Sequence, residues 1–317
     1  DSVTTNATTW VPIGNVTGDS VGFMGIFDGN GYKISGLFVD SLYYAGGLFG
    51  VVSQGGVVKN LTVENAYIRG RRKGAARSGG VVGEFNGDSI VNCEFHGFVI
   101  DSLAGGIVGW SKRRLAKNEL DVGHGAVIRD CRNFGGVSGY GYSGGIVGVA
   151  SATTILDSRN EGWIQHFGNG GIVGRIVGDS TQVSVINNCV NNGEIYPPSG
   201  RAGYSGGIIG YVASGANVRI SKSVNNGLIK TSSYAGGIIG GSAGFVDIGY
   251  TENKVVVAGE LYSGGSVGRA EKLLDIYNSK NKGELAGKHN GGFVGYSDTV
   301  GIVSIRASVN EALFTVS

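Results

Sequence analysis

Nine times along this chain a small or polar residue is followed by Gly-Gly, two mostly apolar residues and a further Gly. The pairs begin at Gly46, Gly79, Gly105, Gly144, Gly170, Gly206, Gly236, Gly264 and Gly291, and successive copies lie 26 to 39 residues apart. A period of that size makes each copy one structural unit. Such a unit is too small to bury an apolar face alone, so neighbouring copies must stack.

A second signature follows each copy of the first. An apolar residue stands three positions before a Cys, Ser or Thr; an Asn commonly lies two after it, a Gly four after and an apolar residue six after. The leading apolar series is Val58, Ile90, Ile128, Ile155, Ile186, Ile220, Ile248, Ile276 and Ile305. The small series is Leu61, Cys93, Cys131, Ser158, Cys189, Ser223, Thr251, Ser279 and Ser308. The Asn series is Asn133, Asn160, Asn191, Asn225, Asn253, Asn281 and Asn310. The trailing series is read as Tyr67, Val99, Val137, Ile164, Ile195, Ile229, Val257, Leu285 and Phe314.

Spacing is constant inside these signatures and variable between them. Stacked coils demand this, because strands must stay in register while corners can bulge. The apolar stretches are two to five residues long, too short for helices and suited to short strands. Composition agrees: 61 of 317 residues are Gly, only 3 are Pro, and 41% are hydrophobic. The glycines follow no Gly-X-Y period, which excludes collagen, and the apolar content excludes a disordered low-complexity chain. The expected fold is all-β, a right-handed parallel β-helix (β-solenoid) of about ten coils. It forms a single domain over 1–317, with an N-terminal coil over 1–44 and nine repeats over 45–317. With about 4.8 Å between coils, the rod should be on the order of 50 Å long. The leading, small and trailing series should stack inward as columns. Gly beside the short strands is expected to supply positive φ at corners. The Asn column is expected to pass amide hydrogen bonds from coil to coil and to tolerate a left-handed corner.

The Gly-Gly element followed by Ile-x-x-Cys/Ser-x-Asn-x-Gly resembles the GLUG-motif repeats of bacterial surface proteins. The opening residues strengthen the resemblance: Trp10-Val11-Pro12-Ile13-Gly14, then Phe23, Gly25, Phe27-Asp28-Gly29-Asn30-Gly31-Tyr32, Ile34 and Gly36-Leu37. Similar stretches occur in large adhesins and in the non-catalytic N-terminal region of IgA-cleaving metallopeptidases. The resemblance implies a β-solenoid that acts outside the cell or at its surface.

The residues that carry chemistry are few. Cys93 and Cys131 hold the same position on adjacent coils, so they read either as a buried small-residue column with Cys189 or as a disulfide. They have no CxxC spacing and point to no zinc site. The four histidines form no HExxH, and there is no GxSxG elbow or Walker motif. Asp130 and Asp157 precede the small position on adjacent coils and read as a solvated pair. No cofactor or metal is implied, and no enzymatic activity is expected. Net charge is +2, which gives no drive toward nucleic acid. No apolar run is long enough to cross a bilayer as a helix, so membrane insertion is not expected.

Three features can meet partners. Tyr204, Tyr234 and Tyr262 precede the small residue of three successive Gly-Gly motifs and should stack into a column able to take sugar rings. Arg71, Arg72 and Lys73 fill one long corner, and Arg113 and Arg114 begin another, so together they can attract an acidic glycan or protein. Asn6, Asn15 and Asn60 begin Asn-x-Ser/Thr sequons, candidates for glycosylation in a eukaryotic secreted protein. The chain starts at Asp1 without a signal-like stretch, as a mature or internal piece of a precursor would. The expected role is an extracellular structural or adhesive solenoid, a stalk segment or a filament subunit stacking head to tail on itself. The alternative is a carbohydrate-binding module for cell-surface glycans that uses the Tyr column or the basic loops.

Overall fold

The computed structural model describes residues 9–14, 22–41, 44–70, 76–112, 126–178, 181–196, 203–231, 233–298 and 301–315. All the regular structure among them is β-strand, and every strand pairing is parallel. The chain winds as a β-solenoid.

One coil shows how the repeat becomes a turn of the rod. The strand Tyr234–Gly236 leads into the Gly237-Ile238 bend and then the strand Ile239–Ser242. A short turn opens the strand Phe245–Gly249. Tyr250, at φ 56°, breaks that strand, and Glu252–Asn253 resumes it in a new direction. The strand Val257–Gly259 then returns the chain to the next coil. The strand after Gly-Gly recurs on nine coils and forms one nine-stranded parallel sheet from Phe49–Val52 to Val294–Ser297. Ile13 and Phe23 bridge its first strand, so the N-terminal segment adds a further partial rung.

The leading column is continuous in register from Phe27 through Val58 and Ile90 to Ile305. From Val58 to Ile276 its members are almost wholly buried. Each such side chain contributes about 1.5–3 kcal/mol of transfer free energy relative to leaving it in water. The trailing column is equally continuous from Val99 to Phe314. Its first member is not Tyr67, however. Asn65, at φ 51°, sits in a bulge that shifts the count by one, so Ile68 pairs with Val99 and is buried, while Tyr67 turns outward.

The glycines do something other than expected. Beyond Gly47 at φ 157°, the repeat glycines do not adopt positive φ. Their constraint is close approach. A Cβ on Gly106 would strike the Gly145 carbonyl oxygen and the Asn133 amide, and a Cβ on Gly105 would strike the Val108 carbonyl oxygen. The same clash recurs between Gly145 and Asn160, Gly171 and Asn191, and Gly207 and Asn225. The Gly pair and the Asn of each repeat are therefore two halves of one packing contact.

The left-handed corner also lies elsewhere than the Asn column. Asn60, Asn92, Asp130, Asp157, Asn188, Lys222, Tyr250, Asn278 and Ala307 hold φ between 47° and 56°. Each stands immediately before the small inward position. The Asn of the motif lies instead in a short strand, with its side chain turned into the core.

Candidate functional site

The inward Asn column forms a directional ladder. Asn133 Nδ2 donates to Asn160 Oδ1 at 2.8 Å, Asn160 to Asn191 at 2.8 Å, Asn191 to Asn225 at 2.9 Å, Asn225 to Asn253 at 2.9 Å, Asn253 to Asn281 at 2.9 Å and Asn281 to Asn310 at 2.8 Å. Each amide from Asn133 to Asn225 also donates to the carbonyl of the Gly two residues on. Asn133 and Asn225 in turn accept that glycine's N–H. Buried amides cost free energy unless bonded, and these are bonded on both sides. Toward the N-terminus the same column is filled by Phe95, Val63 and Ile34, and the ladder stops.

The small column is likewise internal. Ser158, Ser223 and Ser279 hydroxyls each accept a backbone N–H from the preceding coil, at 3.2 Å. Cys93, Cys131 and Cys189 occupy the column as buried free thiols, so the alternative disulfide between Cys93 and Cys131 is not formed. Burial pushes the Cys131 thiol up and lifts Cys189 to about 12, which removes thiolate reactivity.

On the outside, the structure brings Tyr204, Tyr234 and Tyr262 into one stack. Tyr204 and Tyr234 lie 5.1 Å apart at 14°, Tyr234 and Tyr262 5.3 Å apart at 5°, and His289 continues the stack 4.9 Å beyond Tyr262. Residues from the other side of the Gly-Gly bend converge on it. Tyr211 packs on Tyr204 at 4.8 Å, and Tyr296 packs on Tyr262 at 5.0 Å. Arg269 lies 5.4 Å from the Tyr234 ring centre, donates to the Tyr204 hydroxyl at 3.3 Å and pairs with Asp298 at 3.1 Å. Burial, with the field of Glu271 on Tyr211, raises the Tyr204 and Tyr211 hydroxyls above their ordinary range. Within the stack the ring faces are taken up by one another. Face-on stacking of a sugar has no free platform within this column.

A second charged cluster lies near the start of the rod. Buried Arg77 ion-pairs with Glu84 and sits 3.6 Å from the Trp110 ring centre and 4.4 Å from that of Tyr44. Glu84 also takes Lys112 at 2.8 Å. Burial should raise the Glu84 carboxyl, but bonds from Lys112 and Asn86 and the Arg77 charge hold it below its usual range. Asp101 is buried and accepts bonds from the Ser78 hydroxyl and the Ser102 N–H, both at 2.6 Å. Desolvation dominates there and lifts its carboxyl to about 6.

Arg71, Arg72, Lys73, Arg113, Arg114, Asn6 and Asn15 lie outside the described residues. Asn60 is described, and its amide is engaged, donating to Asp28 Oδ1 at 2.9 Å and accepting from Asn92 at 3.0 Å. Sequence reasoning missed Arg269, Tyr211 and Tyr296, since nothing in their spacing links them to the Tyr column. The signal that could have found them is an outward position shared four residues after each second Gly. Among the described residues, no group of three or more His, Cys, Asp or Glu converges on a metal position.

No family model matches the chain, and no curated protein matches it. A crystal structure of a protein described as a putative immunoglobulin A1 protease from Bacteroides ovatus is similar to it. The TM-score is 0.55 at 22% sequence identity, over 71% of this chain and 67% of that one. At that identity the likeness shows the β-solenoid fold alone.

Proposed function

We propose that this chain is a structural and adhesive segment of a cell-surface or secreted protein, a stalk of stacked coils of the GLUG-repeat type, and that it performs no catalytic step. One observation carries the reading. The leading column runs through every repeat from Val58 to Ile305 in unbroken register, and its interior is spent on packing.

The reading extends to assembly. The last coil presents Ile302, Ile305, Val309, Leu313 and Phe314 to solvent. These residues continue the apolar columns, with strand edges that carry unpaired backbone groups. In a head-to-tail filament these residues pack on the first coil of a second copy. Negative-stain microscopy across a concentration series tests this. Fibres with an axial repeat near 50 Å, the length of about ten rungs, are expected. Isolated short rods at every concentration would sink the filament and leave the stalk.

A further inference from the structure

The left-handed corner residue points outward on successive coils, and near the N-terminus this row is a chain of amides. Asn92 donates to Asn60 at 3.0 Å, and Asn60 donates to Asp28 at 2.9 Å. Farther along, Asn188 donates to Asp157 at 2.6 Å. Asp130 stands between these two runs. On one side lies Asn92, whose amide is turned to Asn60, and on the other lies Asp157, whose carboxylate takes the Asn188 amide. An ionised carboxylate only accepts, and neither the Asn92 nor the Asn188 amide reaches Asp130. The neighbouring charge is Arg129, 3.5 Å from Asp130.

Two residues further on, Arg132 and Arg159 are register partners on adjacent coils. Like charges placed directly opposite weaken a sheet. Arg132 reaches Glu94 at 3.5 Å, while Arg159 has no side-chain partner among the described residues. Between the acidic row and the basic row lies a groove of about 490 Å³, lined by Asn92, Asp130, Arg132, Asp157, Arg159 and Asn188. It spans four successive coils, about 14 Å along the axis.

We infer that this groove binds an acidic oligosaccharide. Sugar hydroxyls supply the donors that Asp130 lacks and add to the one that Asn188 gives Asp157. A carboxylate or sulfate on the sugar supplies the acceptor that two adjacent guanidinium groups take in fork geometry. The amides of Asn92 and Asn188 frame the two ends. A groove open along the rod suits a chain rather than a single ion, and its exposure makes binding salt-sensitive. The row gives up hydrogen bonds that it keeps on neighbouring coils, as functional positions do.

The test is calorimetric titration of the full chain, in chelator, with a galacturonate trisaccharide, a sulfated galactose trisaccharide and a neutral galactose trisaccharide. At least one acidic sugar should bind, and which one binds identifies the anion. The neutral sugar should bind roughly tenfold more weakly or worse, and Arg159→Gln should weaken the acidic sugar by a similar factor. Asp130→Asn should raise the melting temperature, because it places an amide donor against Asn92, and should weaken the sugar. Absence of acidic-sugar binding, or equal binding of the neutral sugar, overturns the inference. So does binding unchanged in Arg159→Gln, or a lower melting temperature in Asp130→Asn. If calcium alone saturates the groove once chelator is removed, the site is a cation site and the inference also fails.

Discussion

Single positions in this rod are decided by what lies one rung away. Gly171 is glycine because the next coil's carbonyl and Asn191 already occupy the space of a Cβ. Asp101 is decided by burial. Its folded pKa of about 6 stands above the ordinary aspartate value of 3.8, so the folded state holds the proton more tightly than the unfolded chain does. The stability that this group lends is complete below about pH 4 and is lost as pH rises through about 6. Asp101→Asn should therefore flatten the stability profile between pH 4 and 7 and raise stability at pH 7 by on the order of 2 kcal/mol. Urea unfolding at several pH values measures it. A profile with an unchanged slope would mean that Asp101 is ionised without penalty.

Among the elements, the Asn ladder and the corner row make an instructive pair. Both stack polar residues at one rung spacing, yet only the ladder is buried. Asn191→Ala would strip the acceptor from Asn160 and the donor from Asn225, leaving the buried Asn160 Nδ2 and Asn225 Oδ1 each with only its bond to a glycine. A loss of about 2–4 kcal/mol is expected. Asn310→Ala removes one bond at the end of the ladder and should cost about 1 kcal/mol or less. Thermal unfolding of the two variants compares them, and equal losses would count against a ladder satisfied from both sides. The ladder was legible in the sequence because one residue type recurs at one offset. The corner was not, because Asn, Asp, Lys, Tyr and Ala all occupy it and leave no motif. Tyr67 was misread for a different reason: the bulge at Asn65 adds one residue, which a fixed count cannot register.

Across the whole molecule each coil packs mainly on its immediate neighbours, with Arg269 reaching one coil farther to Tyr204, so stability is close to a sum over coils and their interfaces. The last described coil, with its exposed apolar residues, should open first. Amide hydrogen exchange should show weakest protection over 301–315 and strongest over the central coils around Ile155 to Ile248. Uniform protection along the rod would mean one all-or-none unit. The same one-dimensional build explains how long corners can be inserted between repeats without disturbing the columns.

By itself the sequence determined the repeat, the parallel stacking, the inward columns and the Asn ladder, because each is written in residue type at constant spacing. Tertiary structure decided the rest. Residues from opposite sides of the Gly-Gly bend, Tyr204 with Tyr211 and Tyr262 with Tyr296, meet only once the bend is made. The acidic and basic rows frame a groove only once Asp130, Asp157, Arg132 and Arg159 are stacked. The physical reason is the same in both cases. Spacing along the chain specifies which residues share a column, but contact between two columns depends on the angle at which the coil turns.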